Sequence, residues 1–162
     1  MILIYVVDGR PVIFKQTRIG KNNIPFIFYK FRTLKKDSDP YAESPQSFND
    51  SSIIRGGNIL RAYSLDELPQ LINILKGEMS VVGPRPLFNS HIKNLSDFHK
   101  IRLNVKPGLT GLSQISMRSN LSSKKSLDME VEYVKKKSIL LDLKIIFKTI
   151  KVLILKEGVF KY

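Results

Sequence analysis

Ser64-Leu-Asp-Glu-Leu-Pro-Gln-Leu-Ile-Asn-Ile-Leu-Lys-Gly-Glu-Met-Ser-Val-Val-Gly-Pro-Arg-Pro86 is the stretch on which the reading of this chain turns. Leu68, Leu71, Ile72 and Leu75 recur at helical spacing, and Lys76-Gly77 supplies a stop signal, so a helix is predicted over 65–75. Residues 80–88 are too rich in proline for helix interior. Ser64 and Glu67 have the S-x-x-E spacing of a capping box, and Asp66 in the first turn complements the helix dipole. A second reading of the same carboxylates is chemical. Adjacent carboxylates can divide labour, one attacking phosphorus while the other holds a magnesium ion.

Working outward, residues 2–7 and 11–16 read as strand-like runs about the turn signal Asp8-Gly9-Arg10-Pro11, and Ile24 to Phe31 is a third apolar run. Residues 35–52 are polar, with Pro40 and Pro45, and are expected to form a mobile loop. Helices are predicted over 89–104 and about 126–136, with a turn at Lys106-Pro107-Gly108 between them. The last helix is predicted over 138–156. At 100° per residue, Ile139, Leu143, Ile146, Phe147, Ile150, Leu153 and Ile154 share one arc, bordered by Lys144, Lys148 and Lys151. Such a helix suits a membrane surface, and equally a core helix with a solvated lysine edge. Short N-terminal strands and several helices in 162 residues predict one compact α+β domain spanning 1–162.

Composition removes several classes of function. The chain has no cysteine and only two histidines, His91 and His99, so disulfide frameworks and thiolate zinc sites are excluded. Any metal has to be a hard cation on oxygen ligands. The net charge is +13. Residues 1–87 hold 12 basic and 8 acidic groups, and residues 88–162 hold 15 and 6. That field attracts nucleic acid, anionic lipid or phosphorylated small molecules. A nucleic-acid module is disfavoured, since no RNP signature, zinc spacing or helix-turn-helix is present. The apolar start, Met1 to Val7, is too short to span a bilayer, which takes ~20 residues, and lacks the features of a signal peptide. It reads either as a plain strand or as the end of a longer hydrophobic element.

The candidate cations surround the carboxylate pair in sequence. Arg61 lies five residues before Asp66, and Arg85 stands between two prolines that fix its backbone. Rigid placement suits a guanidinium that must grip a phosphate in bidentate fashion. Pro107-Gly-Leu-Thr-Gly111 either presents N–H groups to a phosphate or is a tight turn.

The order of these segments resembles one family, the monotopic bacterial sugar transferases, which are polyprenyl-phosphate hexose-1-phosphate transferases. The matching stretches are Asp8-Gly-Arg-Pro-Val-Ile-Phe-Lys-Gln-Thr-Arg-Ile-Gly20, Tyr29-Lys-Phe-Arg-Thr33, Leu60 to Asn73, Leu75 to Pro86, Val105-Lys-Pro-Gly-Leu-Thr-Gly111 and Leu141-Asp-Leu-Lys144. The resemblance implies an Mg²⁺-dependent enzyme at the cytoplasmic face of the bacterial inner membrane. It would pass a sugar-1-phosphate from a UDP-sugar to polyprenyl phosphate and release UMP. Asp66 matches the nucleophile that forms a covalent sugar-phosphate ester, and Glu67 the Mg²⁺-binding carboxylate. Arg61 and Arg85 match arginines near the bound phosphates; Lys30 and Arg32, in the matching stretches, and Arg118, outside them, are further basic candidates for phosphate binding. There are departures. Of the family's long N-terminal re-entrant helix only a possible tail, Ile2 to Val7, is present. Leu112-Ser-Gln-Ile115 stands for Trp-Ala-Gln-Val, and Ser116-Met-Arg-Ser-Asn120 for Asn-Gly-Arg-Asn. Glu130 occupies an acidic position that is more often Asp, and Ile54 one that is often Thr. A catalytically silent remnant of the family is therefore the alternative.

Overall fold

The computed structural model describes residues 2–39, 45, 47, 50–116 and 123–155. Of the expected loop over 35–52, residues 40–44, 46, 48 and 49 lie outside the described residues, as does Arg118.

The described residues open with a helix, α1 (Ile2–Asp8), where the sequence left a strand or the end of a longer hydrophobic element open. An unbroken run of apolar residues lacks the alternation that separates strand from helix. The decision is made at its end. Gly9 takes φ +65° and donates its N–H to the Tyr5 carbonyl at 3.0 Å, a left-handed helix stop that glycine reaches at little cost. Arg32, buried at 6% exposure, then donates to the Asp8 carboxylate and to the carbonyls of Asp8, Gly9, Pro11 and Leu34.

Two strands follow as an antiparallel hairpin, β1 (Ile13–Ile19) and β2 (Pro25–Phe31), in register from Ile13 opposite Phe31 to Ile19 opposite Pro25. The connection uses Asn22 and Asn23 at φ 54° and 63°, a conformation that asparagine tolerates better than most residues. Phe26 and Phe28 point inward and pack on Met79.

Helix α2 (Gly57–Ala62) leads into a 3-10 turn at Leu65–Glu67 and then α3 (Gln70–Leu75). The single helix expected over 65–75 is thus broken. Pro69 has no N–H to give the Leu65 carbonyl, which instead accepts from the Leu68 N–H at 3.3 Å.

Strands β3 (Ser80–Val82) and β4 (Gly108–Thr110) pair in parallel. Here the backbones approach so closely that side chains are excluded. A Cβ on Gly108 would lie 2.1 Å from the Gly83 nitrogen, and one on Gly111 2.2 Å from the Gly83 oxygen. The Gly108 N–H goes to the Pro84 carbonyl at 2.9 Å. The 108–110 segment therefore serves as a strand against Ser80–Val82 rather than as a tight turn.

Between them lie α4 (Asn89–Lys93), α5 (Asp97–Lys100) and a 3-10 turn at Ile101–Asn104, where one helix over 89–104 was expected. The break is local. Ser96 adopts an extended backbone, and its hydroxyl accepts the His99 N–H as an N-cap, which starts a new helix.

The chain ends with α6 (Leu112–Ser116), α7 (Ser123–Lys136) and α8 (Ile139–Leu155). Val82, Ile115, Tyr133 and Ile145 form a buried cluster that seats α6, α7 and α8 on β3. The Tyr133 hydroxyl donates to Asp142 at 2.8 Å. On α8 the buried positions are Ile145 and Val152, while the Thr149 hydroxyl meets that of Thr110 at 2.7 Å. Of the apolar arc read from the sequence, Ile146 packs against the core cluster and Leu153 is partly buried, while the other members are exposed. Ile139 is 82% exposed, Phe147 70% and Ile154 71%. Lys144, Lys148 and Lys151 are exposed beside them. The arc is thus divided between the two readings, with Ile146 on the core and most of the rest on the solvent side. No helix among the described residues is long and apolar enough to cross a membrane.

Candidate active site

The 3-10 turn at Leu65–Glu67 places two neighbouring carboxylates on the inner side of the chain. Ser64, ahead of it, has φ 53° and ψ 24°, the left-handed region, and its side chain makes no cap hydrogen bond. A capping box needs an extended N-cap residue. The capping reading of Ser64 and Glu67 therefore fails, and the carboxylates have other partners.

Lys30, from β2, is the first of them. Its ammonium donates to Glu67 Oε1 at 2.6 Å and stands 3.8 Å from Asp66 Oδ2. Arg85 Nη1 approaches the same Glu67 oxygen at 3.8 Å, with half of its side-chain surface open to solvent. Arg61, in the last turn of α2, senses the charges of Asp66, Glu67 and Arg85, while burial lowers its pKa. Lys30 and Arg85 thus flank the carboxylate pair, and Arg61 lies within its field, with Asp50 a further acid acting on Arg61. The half-exposed Arg85 suits a phosphorylated anion entering from its side.

The two acids are held in different states. Asp66 is 5% exposed, and burial raises its pKa, with Lys30 opposing and the neighbouring Glu67 charge reinforcing. Burial would raise Glu67 too, yet Lys30 and Arg85 outweigh it and hold that carboxyl at about 2, against 4.5 ordinarily. Glu67 is a firm anion. Asp66 is a less solvated and more basic carboxylate, which is the better nucleophile of the pair. Splitting two adjacent acids in this way is the arrangement expected where they take separate roles.

The donor set fits magnesium in one specific sense. Among the described residues no group of three or more Asp, Glu or His comes together. Mg²⁺ does not need one, since it is commonly held by one or two carboxylates and completed by substrate phosphates and water. Glu67, ionised at any physiological pH, supplies such a carboxylate.

Of the residues singled out in the sequence, Asp66, Glu67, Arg61, Arg85 and Lys30 come together. Arg32 does not. Its guanidinium is consumed by Asp8 and backbone carbonyls at the end of α1, so it acts as a clamp on the fold. The sequence reading also missed Asn73, which is fully buried. Its amide donates to the Ile27 carbonyl and to Glu78, both at 2.7 Å, and its oxygen accepts the Tyr29 N–H at 3.3 Å. These bonds tie α3 to β2 at Ile27 and Tyr29, just ahead of Lys30, and so help to set the ammonium against the carboxylates. Only the polar character of position 73 in an apolar helical run signals this role.

The family model for bacterial sugar transferases matches residues 1–156. The sugar transferase EpsL of Bacillus subtilis is 40% identical over 151 residues, covering 93% of this chain and 74% of that protein. The UDP-glucose:undecaprenyl-phosphate glucose-1-phosphate transferase of Escherichia coli is 39% identical over 148 residues, covering 86% of this chain and 32% of its own length. The undecaprenyl-phosphate galactose phosphotransferase of Salmonella typhimurium is 38% identical over 168 residues, covering 94% of this chain and 35% of its own length. The chain thus spans about a third of the latter two relatives. A match to the family model over residues 1–156, with a relative 40% identical over 93% of this chain and 74% of its own length, places this protein in the bacterial sugar transferase family.

Proposed function

We propose that this protein transfers a sugar-1-phosphate from a UDP-sugar to a polyprenyl phosphate through a covalent intermediate on Asp66. The observation that carries this reading is the split pair: a buried, basic Asp66 beside a firmly ionised Glu67, flanked by Lys30 and Arg85. The relatives named as undecaprenyl-phosphate transferases support the acceptor, and one of them supports the UDP-sugar donor.

In the first step the Asp66 carboxylate attacks the phosphorus that bears the sugar. The bond from that phosphorus to the bridging oxygen breaks, and UMP leaves with the electron pair. In the second step a phosphate oxygen of the acceptor attacks the same phosphorus. The bond to Asp66 breaks, the carboxylate is regenerated, and the sugar leaves on a polyprenyl diphosphate. An anion attacking a diphosphate meets charge repulsion, and Lys30, Arg61 and Arg85 offset it. Glu67 would hold Mg²⁺, which supplies further neutralisation of the phosphate oxygens when bound.

The exposed arc of α8 would rest on anionic lipid at the cytoplasmic face of the inner membrane, where a polyprenyl acceptor lies. The exposed Leu68, Leu71 and Leu75 on the segment that follows the carboxylate pair add apolar surface near the site.

Two measurements test this. UMP release from a UDP-sugar in the presence of undecaprenyl phosphate should require Mg²⁺ and stop with EDTA. Turnover unaffected by chelation would remove Glu67 from its role. Flotation with anionic liposomes should weaken as salt rises, since each lysine near the surface contributes ~1 kcal/mol. A protein that never floats at low salt would show that the α8 arc meets something other than lipid.

A further inference from the structure

Pro84 and Pro86 have no N–H, so the Arg85 N–H is the one backbone donor in the Pro-Arg-Pro run. It does not pair with a strand. It donates to Glu130 Oε1, on α7, at 3.1 Å. The Arg85 carbonyl in turn accepts from Arg102 Nη2, in the 3-10 turn at Ile101–Asn104. Arg102 and Glu130 pair with each other at 2.8 Å, with 3% and 4% of their side-chain surfaces exposed. Ser113, on α6 and 1% exposed, donates its hydroxyl to Glu130 Oε1 at 3.1 Å. Both peptide groups of Arg85 are therefore gripped by one buried ion pair, braced from three separate elements.

A buried ion pair is a poor device for stability, because desolvation consumes most of its Coulombic gain. It is a good device for geometry, since removal of either partner leaves a buried charge unpaired and few alternative arrangements satisfy both groups. What it fixes here is the root of a side chain whose guanidinium reaches Glu67 while half of its surface faces solvent. We propose that Glu130, Arg102 and Ser113 are positioning residues that aim Arg85 at the phosphates of the nucleotide sugar. This rests on the reading of Arg85 as a phosphate-gripping group of the active site. The flanking residues act on substrate only through Arg85.

That claim has a signature which a merely structural role lacks. Glu130→Gln keeps the shape and an acceptor oxygen but removes the charge that holds Arg102. If the pair acts through Arg85, its loss should matter only while Arg85 is present. The experiment is a double-mutant cycle on the full chain, with UMP release giving kcat/KM and KM for the UDP-sugar, and with unfolding temperature recorded alongside. Glu130→Gln should lower kcat/KM by about tenfold in the wild-type background and by less than about twofold in the Arg85→Ala background. Should Glu130→Gln fail to fold, Arg102→Lys and Ser113→Ala enter the same cycle, as each loosens the grip while sparing the fold more. Equal losses in both backgrounds, or a loss of unfolding temperature with unchanged kcat/KM, would overturn the positioning role and leave the proposed function standing. An Arg85→Ala variant as active as wild type would instead sink the reading of Arg85, and the inference with it.

Discussion

Replacing Asp66 by Asn is expected to abolish transfer of radiolabel from the sugar-linked phosphate of a UDP-sugar to the protein, to lower turnover at least ~10³-fold, and to raise the unfolding temperature at neutral pH. The loss follows from chemistry, because an amide cannot replace the attacking carboxylate. The gain follows from the environment of the residue. Asp66 is 5% exposed, and burial, its largest perturbation, raises its pKa above the ordinary 3.8. For an acid whose folded pKa lies above its unfolded one, the protonated form is favoured by folding. The resulting stability is present below pH 3.8 and is lost as pH rises through the folded value. At pH 7 the ionised Asp66 is thus a burden on the fold, and a neutral amide of the same shape relieves it. At this chain length each kcal/mol relieved raises the unfolding temperature by ~2–4 °C. A variant that is inactive and less stable than wild type would point to a collapsed site instead of a missing nucleophile.

The second large effect is expected at Lys30, whose ammonium bridges both carboxylates. Lys30→Met should lower kcat/KM on the order of 10²-fold at neutral pH, since one cation in a partly buried site is removed. It should also move the acidic limb of the pH–rate profile upward. The sign is fixed by the charges: Lys30 lowers the pKa of Asp66, so its removal raises it. Burial raises Glu67 and Lys30 is the main cause that opposes it, so the loss of Lys30 moves Glu67 upward as well. The shifted limb therefore reports the carboxylate pair. A profile that falls in height without moving would show that Lys30 serves the substrate alone and leaves the nucleophile untouched.

Much of this site was legible in the sequence because its parts are close together in the chain or carry unusual local chemistry. Asp66, Glu67 and Arg61 lie within one short run, and the prolines around Arg85 announce a fixed backbone. What the sequence could not disclose depends on partners far away. Arg32 reads as a phosphate ligand by charge, yet it is spent on the end of α1, some 24 residues earlier. The Ser64–Glu67 spacing satisfies a capping box on paper, but the left-handed Ser64 backbone and the pull of Lys30, from 37 residues away, redirect Glu67. Glu130 and Arg102 look like surface charges in helical segments, and only the tertiary fold buries them against Arg85. The sequence leaves α1 open between a strand and the end of a longer hydrophobic element, because β-branched residues favour strands locally, while the Gly9 stop and the Arg32 clamp decide the matter. The outward turn of the α8 arc was likewise open until the packing of Ile145 and Val152 showed which side of the helix the core takes.

The central claim is that Asp66 itself carries the sugar phosphate between donor and acceptor. The most direct measurement is mass spectrometry of the wild-type protein after incubation with Mg²⁺ and a UDP-sugar, without acceptor, followed by digestion and fragmentation. The account predicts one added sugar phosphate on the peptide that contains Asp66, localised to that residue, formed in step with UMP release and discharged when polyprenyl phosphate is added. UMP release with acceptor present but no adduct at any time, or an adduct localised to Glu67, would contradict it.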